Sequence, residues 1–128
     1  MKKYNISFAG AGRLAGILCR ELCSKGHTID MVVSPEGGRG PALAEECNAG
    51  WSDAMVFPES TRVIFIAVPD SMIRGVLKHI KCSESAIIVH TSGSTGLDIF
   101  PENFLRTGVF YPLQTFSHGR KLNFENLP

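Results

Sequence analysis

The residues best suited to chemistry in this chain form a glycine-containing loop directly after its first apolar segment. In the stretch SFAGAGRLAG, the residues Gly10, Gly12 and Ala15 fit the pattern GxGxxA. Gly10 permits a tight turn, Gly12 leaves the backbone bare for a phosphate, and Ala15 lets a following helix pack closely on a sheet. Because amides at a helix start attract anions, the pattern predicts a bound dinucleotide diphosphate, with a plain turn as the alternative.

The end of the second predicted strand bears on which dinucleotide is bound. An NAD site usually carries Asp or Glu at that position, and Asp30 falls too early in the segment TIDMVVS. The terminal position is Ser34, followed in the loop by Arg39, and these residues accommodate a 2′-phosphate better than a carboxylate does. NADP is therefore favoured over NAD, with Glu36 as the residue that would reverse the preference. Arg13 is either a second cation beside the diphosphate or a solvent-exposed side chain.

His90 and Ser92 are the candidate catalytic residues. His90 ends the apolar run AIIVH, where an imidazole can exchange a proton with a carbinol oxygen; a buried histidine bonded to backbone is the alternative. Ser92, in TSGSTG, can donate a hydrogen bond to a substrate carboxylate or carbonyl, although turn chemistry also explains a serine there. No metal site is predicted, because the four cysteines lack CxxC spacing and the four histidines are scattered.

Apolar runs alternate with helical patterns along most of the chain. The predicted strands are YNISFAG, HTIDMVVS, RVIFIAVP, AIIVH and GVFYPLQTF, and the predicted helices are residues 13–25, residues 41–50 and DSMIRGVLKHI. The last helix has Asp70 or Ser71 as its predicted cap and Met72 among its inward residues. Residues 51–59 read as a short strand or a loop with one helical turn, and Trp51 is assigned to the core. This alternation predicts an α/β fold with a doubly wound, mainly parallel Rossmann-type sheet and helices on both faces.

Length and composition fit one soluble, compact domain. The chain has 128 residues, of which 44% are hydrophobic and 20% are charged. A net charge of +1, without a basic run beyond Lys2-Lys3, predicts neither a nucleic-acid nor a membrane partner. No apolar segment approaches the roughly 20 residues of a membrane helix, and MKKYNISFAG is not a signal peptide. We therefore expect a cytoplasmic protein with buried free thiols.

The glycine loop, FIAVPDSMI, HTSGSTG and FYPLQTFS together resemble a known group of proteins. From about Ile6 to Phe116 the chain is similar to the N-terminal domain of Rossmann-like proteins with a helical C-terminal domain, the DUF2520 proteins. These are related to F420-dependent NADP oxidoreductases, pyrroline-5-carboxylate reductase and 6-phosphogluconate dehydrogenase-like enzymes. The resemblance implies hydride transfer between NAD(P) and a small-molecule substrate held between two domains, in a homo-oligomer formed through the helical domain.

The resemblance also implies roles for individual residues. It places the diphosphate on Gly10, Ala11, Gly12, Arg13 and Leu14, the adenosine ribose at Ser34, and the nicotinamide near Ala67, Val68, Pro69, His90, Thr91, Ser92 and Gly93. Pro35 stands where relatives often have Arg, which weakens the preference for NADP.

The expected domain organisation follows the same resemblance. Residues 1–116 are expected to form the NAD(P)-binding domain, and residues 117–128 to begin a linker toward a C-terminal helical domain absent from this chain. We expect the chain without that domain to be an incomplete enzyme.

Two functions besides hydride transfer remain open at this point. One is a non-catalytic NAD(P)-binding sensor or regulatory module. The other is a Rossmann-type domain for a different adenine ligand, such as S-adenosylmethionine.

Overall fold

A computed structural model describes residues 3–90 and, for its backbone, the strand at residues 107–109. The strands are β1 (Asn5–Ala9), β2 (Thr28–Val33), β3 (Gly50–Ser52), β4 (Val63–Ile66), β5 (Ile87–His90) and β6 (Thr107–Val109). The helices are α1 (Arg13–Ser24), α2 (Gly40–Glu46) and α3 (Asp70–His79). Within these described residues, no helix has the length and apolar character needed to cross a membrane.

The strands form one parallel sheet in the order β3-β2-β1-β4-β5-β6. The chain moves outward from β1 to β3 and then returns to the other side of β1 to begin β4. Because parallel crossovers are right-handed, this reversal puts α1 and α2 on one face and α3 on the other. The predicted doubly wound α/β fold is confirmed, and ligands of such sheets bind at the carboxyl edge beside the reversal, between β1 and β4.

Each face of the sheet has its own apolar core. Phe8 and Phe65 stack with their ring centroids 5.3 Å apart on the face of α1 and α2, where Leu18 and Leu22 cover them. Successive residues of β4 alternate between this cluster and the cluster under α3, and all four are buried. An unbroken apolar strand is therefore explained by burial on both faces.

Helix α3 differs from its sequence prediction at its start and on one side. Its N-cap residue is Pro69 and no side chain caps it, so the prediction of Asp70 or Ser71 as the cap is wrong. Asp70 is instead in the first turn, where its carboxylate complements the helix dipole. Met72 is predicted to face inward, but 49% of it is exposed. The 3.6-residue period of the helix turns Ile73, Val76 and Leu77 toward the sheet instead.

Helix α2 is shorter than predicted, and the ambiguous segment after it begins with a strand. Asn48 adopts a positive φ of 55°, a left-handed conformation that ends helices, and α2 accordingly stops at Glu46. Gly50, the predicted helix end, is the first residue of β3, and Trp51 in this strand pairs with Val32. The loop before α2 and the edge strand after it thus lie beside the end of β2.

Strand β2 contains a bulge at Asp30. Ile6 pairs with Ile29 and Ser7 pairs with Met31, so Asp30 is the extra residue. Its carboxylate accepts hydrogen bonds from Asn5 Nδ2 at 3.1 Å, Ser60 Oγ at 3.0 Å and Thr61 Oγ1 at 2.8 Å. These hydrogen bonds hold Asp30 within β2, away from the carboxyl edge of the sheet. This agrees with the early position of Asp30 in the strand.

Candidate functional site

The first residue of the glycine loop closes a turn in which only glycine fits. Gly10 has φ +112°, and its N–H donates to the Val33 carbonyl at 2.8 Å. A Cβ at this position would lie 2.3 Å from the carbonyl oxygen of Ala67. Because Gly10 has no side chain, its backbone fits between the ends of β2 and β4.

The second glycine of the loop stands at the start of α1 and faces open space. Gly12 is the N-cap residue, with φ −76°, and its carbonyl accepts the first helical hydrogen bond from the Gly16 N–H at 3.0 Å. Apart from Gly12 itself and its two chain neighbours, no heavy atom of the described residues lies within 4 Å of the place where its Cβ would be. Because first-turn amides have no partner inside a helix, this opening presents N–H donors and the positive helix end to an anion. Ala15 is fully buried against the core, which holds α1 close to the sheet.

A cavity of about 650 Å³ extends from the glycine loop along α1 and α2; we call it the α1–α2 cavity. Arg13 and Arg39 line it together with Gly12. Neither arginine has an ion-pair partner among residues 3–90, whereas Arg20, at the same cavity, pairs with Glu46 at 2.9 Å. Two uncompensated guanidinium groups beside a helix N-terminus make this cavity suited to a phosphate.

A second cavity, of about 390 Å³, lies on the other side of the loop at the reversal of strand order; we call it the switch-point cavity. Its walls are largely apolar, which suits a flat ring such as adenine, but two carboxylates also reach it. It is lined by Gly10, Val33, Ser34, Pro35, Glu36, Asp53, Met55, Val68, Met72 and Val76.

Ser34, at the end of β2, is held by a contact that sequence reasoning did not find. Trp51 Nε1 donates to Ser34 Oγ at 2.9 Å, and Ser34 is only 3% exposed. Gly40 covers this hydrogen bond, since a Cβ there would lie 1.8 Å from Ser34 Oγ and 2.7 Å from Trp51 Nε1. The loop that starts at Ser34 therefore returns to it at Gly40, which brings the adjacent Arg39 next to the serine.

The residues predicted to bind the diphosphate and the ribose lie together at the glycine loop, whereas part of the predicted nicotinamide side lies outside the described residues. Ala67 and Leu14 pack partly buried against the core on the α1 face, and Pro69 is the N-cap of α3. His90 is fully buried at the end of β5, in register with Ile66 of β4. Thr91, Ser92 and Gly93 lie outside the described residues. The catalytic roles of His90 and Ser92 stay predictions.

Several residues of the site carried no sequence signal. In the sequence, Trp51 reads as an ordinary core aromatic and Gly40 as one glycine of a loose loop, because the contact that gives each its role joins residues far apart in the chain. Met55 and Asp53 lay in the segment whose structure was ambiguous. The exposed Met72 could have been found from a helical wheel centred on Ile73, Val76 and Leu77.

The buried thiols lie on α1 and directly after α2, away from the glycine loop. Cys19 Sγ contacts Cys47 Sγ at 3.3 Å, and burial raises the pKa of both thiols, which keeps them protonated near neutral pH. Within the part of the chain that the structure describes, no group of three or more His, Cys, Asp or Glu side chains could hold a metal ion.

Several solved structures resemble this chain. A Bacteroides fragilis protein provisionally assigned as an NADP oxidoreductase is 29% identical, with a TM-score of 0.75 over 98% of this chain and 50% of its own. A conserved hypothetical protein from Sinorhizobium meliloti is 18% identical, with a TM-score of 0.62 over 77% of this chain and 35% of its own. An imine reductase variant from Myxococcus stipitatus, in complex with NAD+, is 18% identical, with a TM-score of 0.54 over 94% of this chain and 39% of its own. The last two likenesses show the fold alone, and this chain spans about half the length of the Bacteroides protein.

No curated protein matches the chain. Residues 5–93 match the family model for NADP oxidoreductase, coenzyme F420-dependent, a region that contains the glycine loop, both cavities and His90. The parallel sheet with its strand reversal, the bare Gly12 backbone and the matched region agree on a domain that binds a nicotinamide nucleotide. The chain therefore belongs to the family of F420-dependent NADP oxidoreductases.

Proposed function

We propose that this chain is the cofactor-binding domain of an oxidoreductase that transfers a hydride between NADP(H) and a small organic substrate. The observation that carries the proposal is the open Gly12 backbone at the start of α1, which shares one cavity with Arg13 and Arg39. When bound, the nicotinamide supplies the hydride donor or acceptor. The residues of this chain bind and orient the cofactor.

The loop geometry fits a dinucleotide diphosphate. The diphosphate would occupy the space in front of Gly12, where it accepts hydrogen bonds from the first-turn amides of α1 and meets the Arg13 guanidinium. A side chain at Gly12 would fill this space, and nothing in residues 3–90 fills it now. The adenine would lie in the switch-point cavity against the side chains of Met55, Val68 and Met72.

The charges on the two sides of the loop support NADP as the specific cofactor. Arg39 would meet the 2′-phosphate on the side of the α1–α2 cavity, while Glu36 and Asp53 line the cavity proposed for the uncharged adenine. Asp30, the acidic residue in the second strand, is occupied by three hydrogen bonds inside the sheet. The residue at the end of β2 is Ser34, and a carboxylate at this position would repel the 2′-phosphate.

The substrate side of the site is part of the same proposal. We propose that a helical C-terminal domain of the DUF2520 kind follows residues 117–128, covers the nicotinamide and forms a homo-oligomer. His90 would then exchange a proton with the substrate oxygen or nitrogen, and Thr91 and Ser92 would bind the nicotinamide and the substrate. The raised pKa values of Cys19 and Cys47 are compatible with free thiols, and we propose a reducing, cytoplasmic location.

Calorimetric titration of the protein with NADPH, NADH and S-adenosylmethionine tests the cofactor. We expect NADPH to bind at least about tenfold more tightly than NADH, because charge-assisted hydrogen bonds contribute about 1.5–3 kcal/mol each. Arg39→Ala should weaken NADPH about tenfold or more and leave NADH nearly unchanged. Arg62→Ala is the matched control, since Arg62 is exposed and precedes β4 at the opposite edge of the sheet.

Tighter binding of S-adenosylmethionine than of either dinucleotide would contradict the proposal. Catalysis is tested separately, by NADPH oxidation with a panel of imines and keto acids, on the protein joined to the domain that follows. NADPH binding without turnover across that panel would favour the sensor function over the oxidoreductase.

A further inference from the structure

The hydrogen bond between Trp51 and Ser34 links the edge strand of the sheet to the proposed cofactor site. Trp51 lies in β3, is partly buried against the core on the α1 face, and is the single tryptophan of the chain. Its Nε1 is 2.9 Å from Ser34 Oγ, and Ser34 lines the switch-point cavity. The indole therefore contacts a residue of the site from behind, without lining either cavity itself.

The chemistry of the two groups fixes the direction of this hydrogen bond. An indole N–H can only donate, so Ser34 Oγ must be the acceptor. A hydroxyl has one hydrogen to donate, and accepting a hydrogen bond leaves that hydrogen available to another acceptor. No other side-chain hydrogen bond of Ser34 is found among residues 3–90. The pair thus presents one O–H donor whose oxygen is held in place.

The loop that follows Ser34 brings a cation to the same point. Gly40 packs directly over the hydrogen bond, because a Cβ at Gly40 would lie 1.8 Å from Ser34 Oγ. Arg39, the residue before it, is the N-cap residue of α2 and lines the α1–α2 cavity. The backbone of Arg39 therefore lies beside the fixed hydroxyl, and its side chain lines the neighbouring cavity.

We propose that Trp51 is a positioning residue of the cofactor site, whose indole N–H holds the Ser34 hydroxyl as a donor to the 2′-phosphate of NADP(H). This inference rests on the proposed function. Trp51 acts through Ser34 and does not contact the cofactor. It contributes to the selection of NADPH over NADH, because only the phosphorylated ribose offers an anionic acceptor at that position.

A double-mutant cycle of Trp51→Phe and Ser34→Ala tests the inference, with NADPH and NADH affinities measured by calorimetry. Trp51→Phe keeps an aromatic ring and removes the N–H donor. We expect Ser34→Ala to weaken NADPH about tenfold, Trp51→Phe to weaken it about three- to tenfold, and NADH affinity to change less than twofold in both. In the Ser34→Ala background, Trp51→Phe should have no further effect on NADPH, which is the signature of coupling.

Thermal unfolding of each variant separates positioning from general loss of structure. A loss of NADPH and NADH affinity in equal proportion, or additive effects of the two substitutions, would overturn the role of Trp51. Unchanged NADPH affinity in Ser34→Ala would overturn it as well, and would make the pair a purely structural link between β2 and β3. Failure of the unaltered protein to bind either dinucleotide would instead overturn the proposed function.

Discussion

Substitution of Gly12 by Asp should stabilise the protein and abolish dinucleotide binding at the same time. Gly12 has φ −76° and open space around its Cβ position, so an aspartate fits without strain. As N-cap, its carboxylate would bond first-turn amides and complement the helix dipole, and losing a glycine restricts the unfolded chain; together these contribute about 1–2 kcal/mol. The same carboxylate would occupy the diphosphate position, and one charge pair about 4 Å apart costs about 4 kcal/mol near a protein surface, or about a thousandfold in Kd.

Urea unfolding and calorimetric titration with NADPH measure the two effects on the same samples. Gly12→Asn is the matched control, because it caps the helix with a side chain of the same shape but adds no charge. We expect it to retain the gain in stability and to lose less affinity than Gly12→Asp. A folded Gly12→Asp variant that binds NADPH within about threefold of the unaltered protein would refute the role of the loop.

Three further predictions concern stability. Gly10→Ala should lower the free energy of unfolding by about 2–4 kcal/mol in urea titrations, because its Cβ would lie 2.3 Å from the Ala67 carbonyl oxygen at φ +112°; an unchanged midpoint would contradict the turn geometry. Burial lowers the pKa of His27, whose neutral Nδ1 accepts the Tyr4 N–H at 3.0 Å, so its contribution is present above about pH 6.5 and is lost as the pH falls; His27→Gln should flatten that acid dependence in urea titrations. Burial raises the pKa of Cys19 and of Cys47, so the free energy of unfolding should fall above about pH 9 by up to about 1.4 kcal/mol per pH unit for each of these thiols, and Cys19→Val should remove the share of Cys19 from this slope in the same measurement.

The fold was predictable because its signals are local. The apolar run around Phe65, the glycines at positions 10 and 12, and the helical period of α1 each lie within about a dozen residues, and together they gave the doubly wound sheet. Helix boundaries were less predictable, since a single backbone conformation at Asn48 ended α2 before the predicted position.

The candidate site was predictable only where it coincides with the carboxyl ends of strands. Ser34 and Arg39 could be placed there from the strand order, but their surroundings depend on the edge strand that carries Trp51. No residue spacing indicates that an indole, a hydroxyl and the backbone at Gly40 meet, because the contact joins three elements through tertiary packing. Hydrophobic pattern also failed at Met72, whose exposure depends on where α3 sits over the sheet.

The extra residue in β2 leaves the ladder without turning over either half of the strand. Ile29 and Val32 both pack into the cluster under α1 and α2, although residues three apart in a regular strand point to opposite sides. Removing Asp30 would make Ile29 and Met31 consecutive, which would restore strict alternation and leave both halves of β2 on the sides they face now. Ser34 would keep its place beside Trp51, so deletion of Asp30 should cost the three hydrogen bonds of its carboxylate and leave cofactor selection intact.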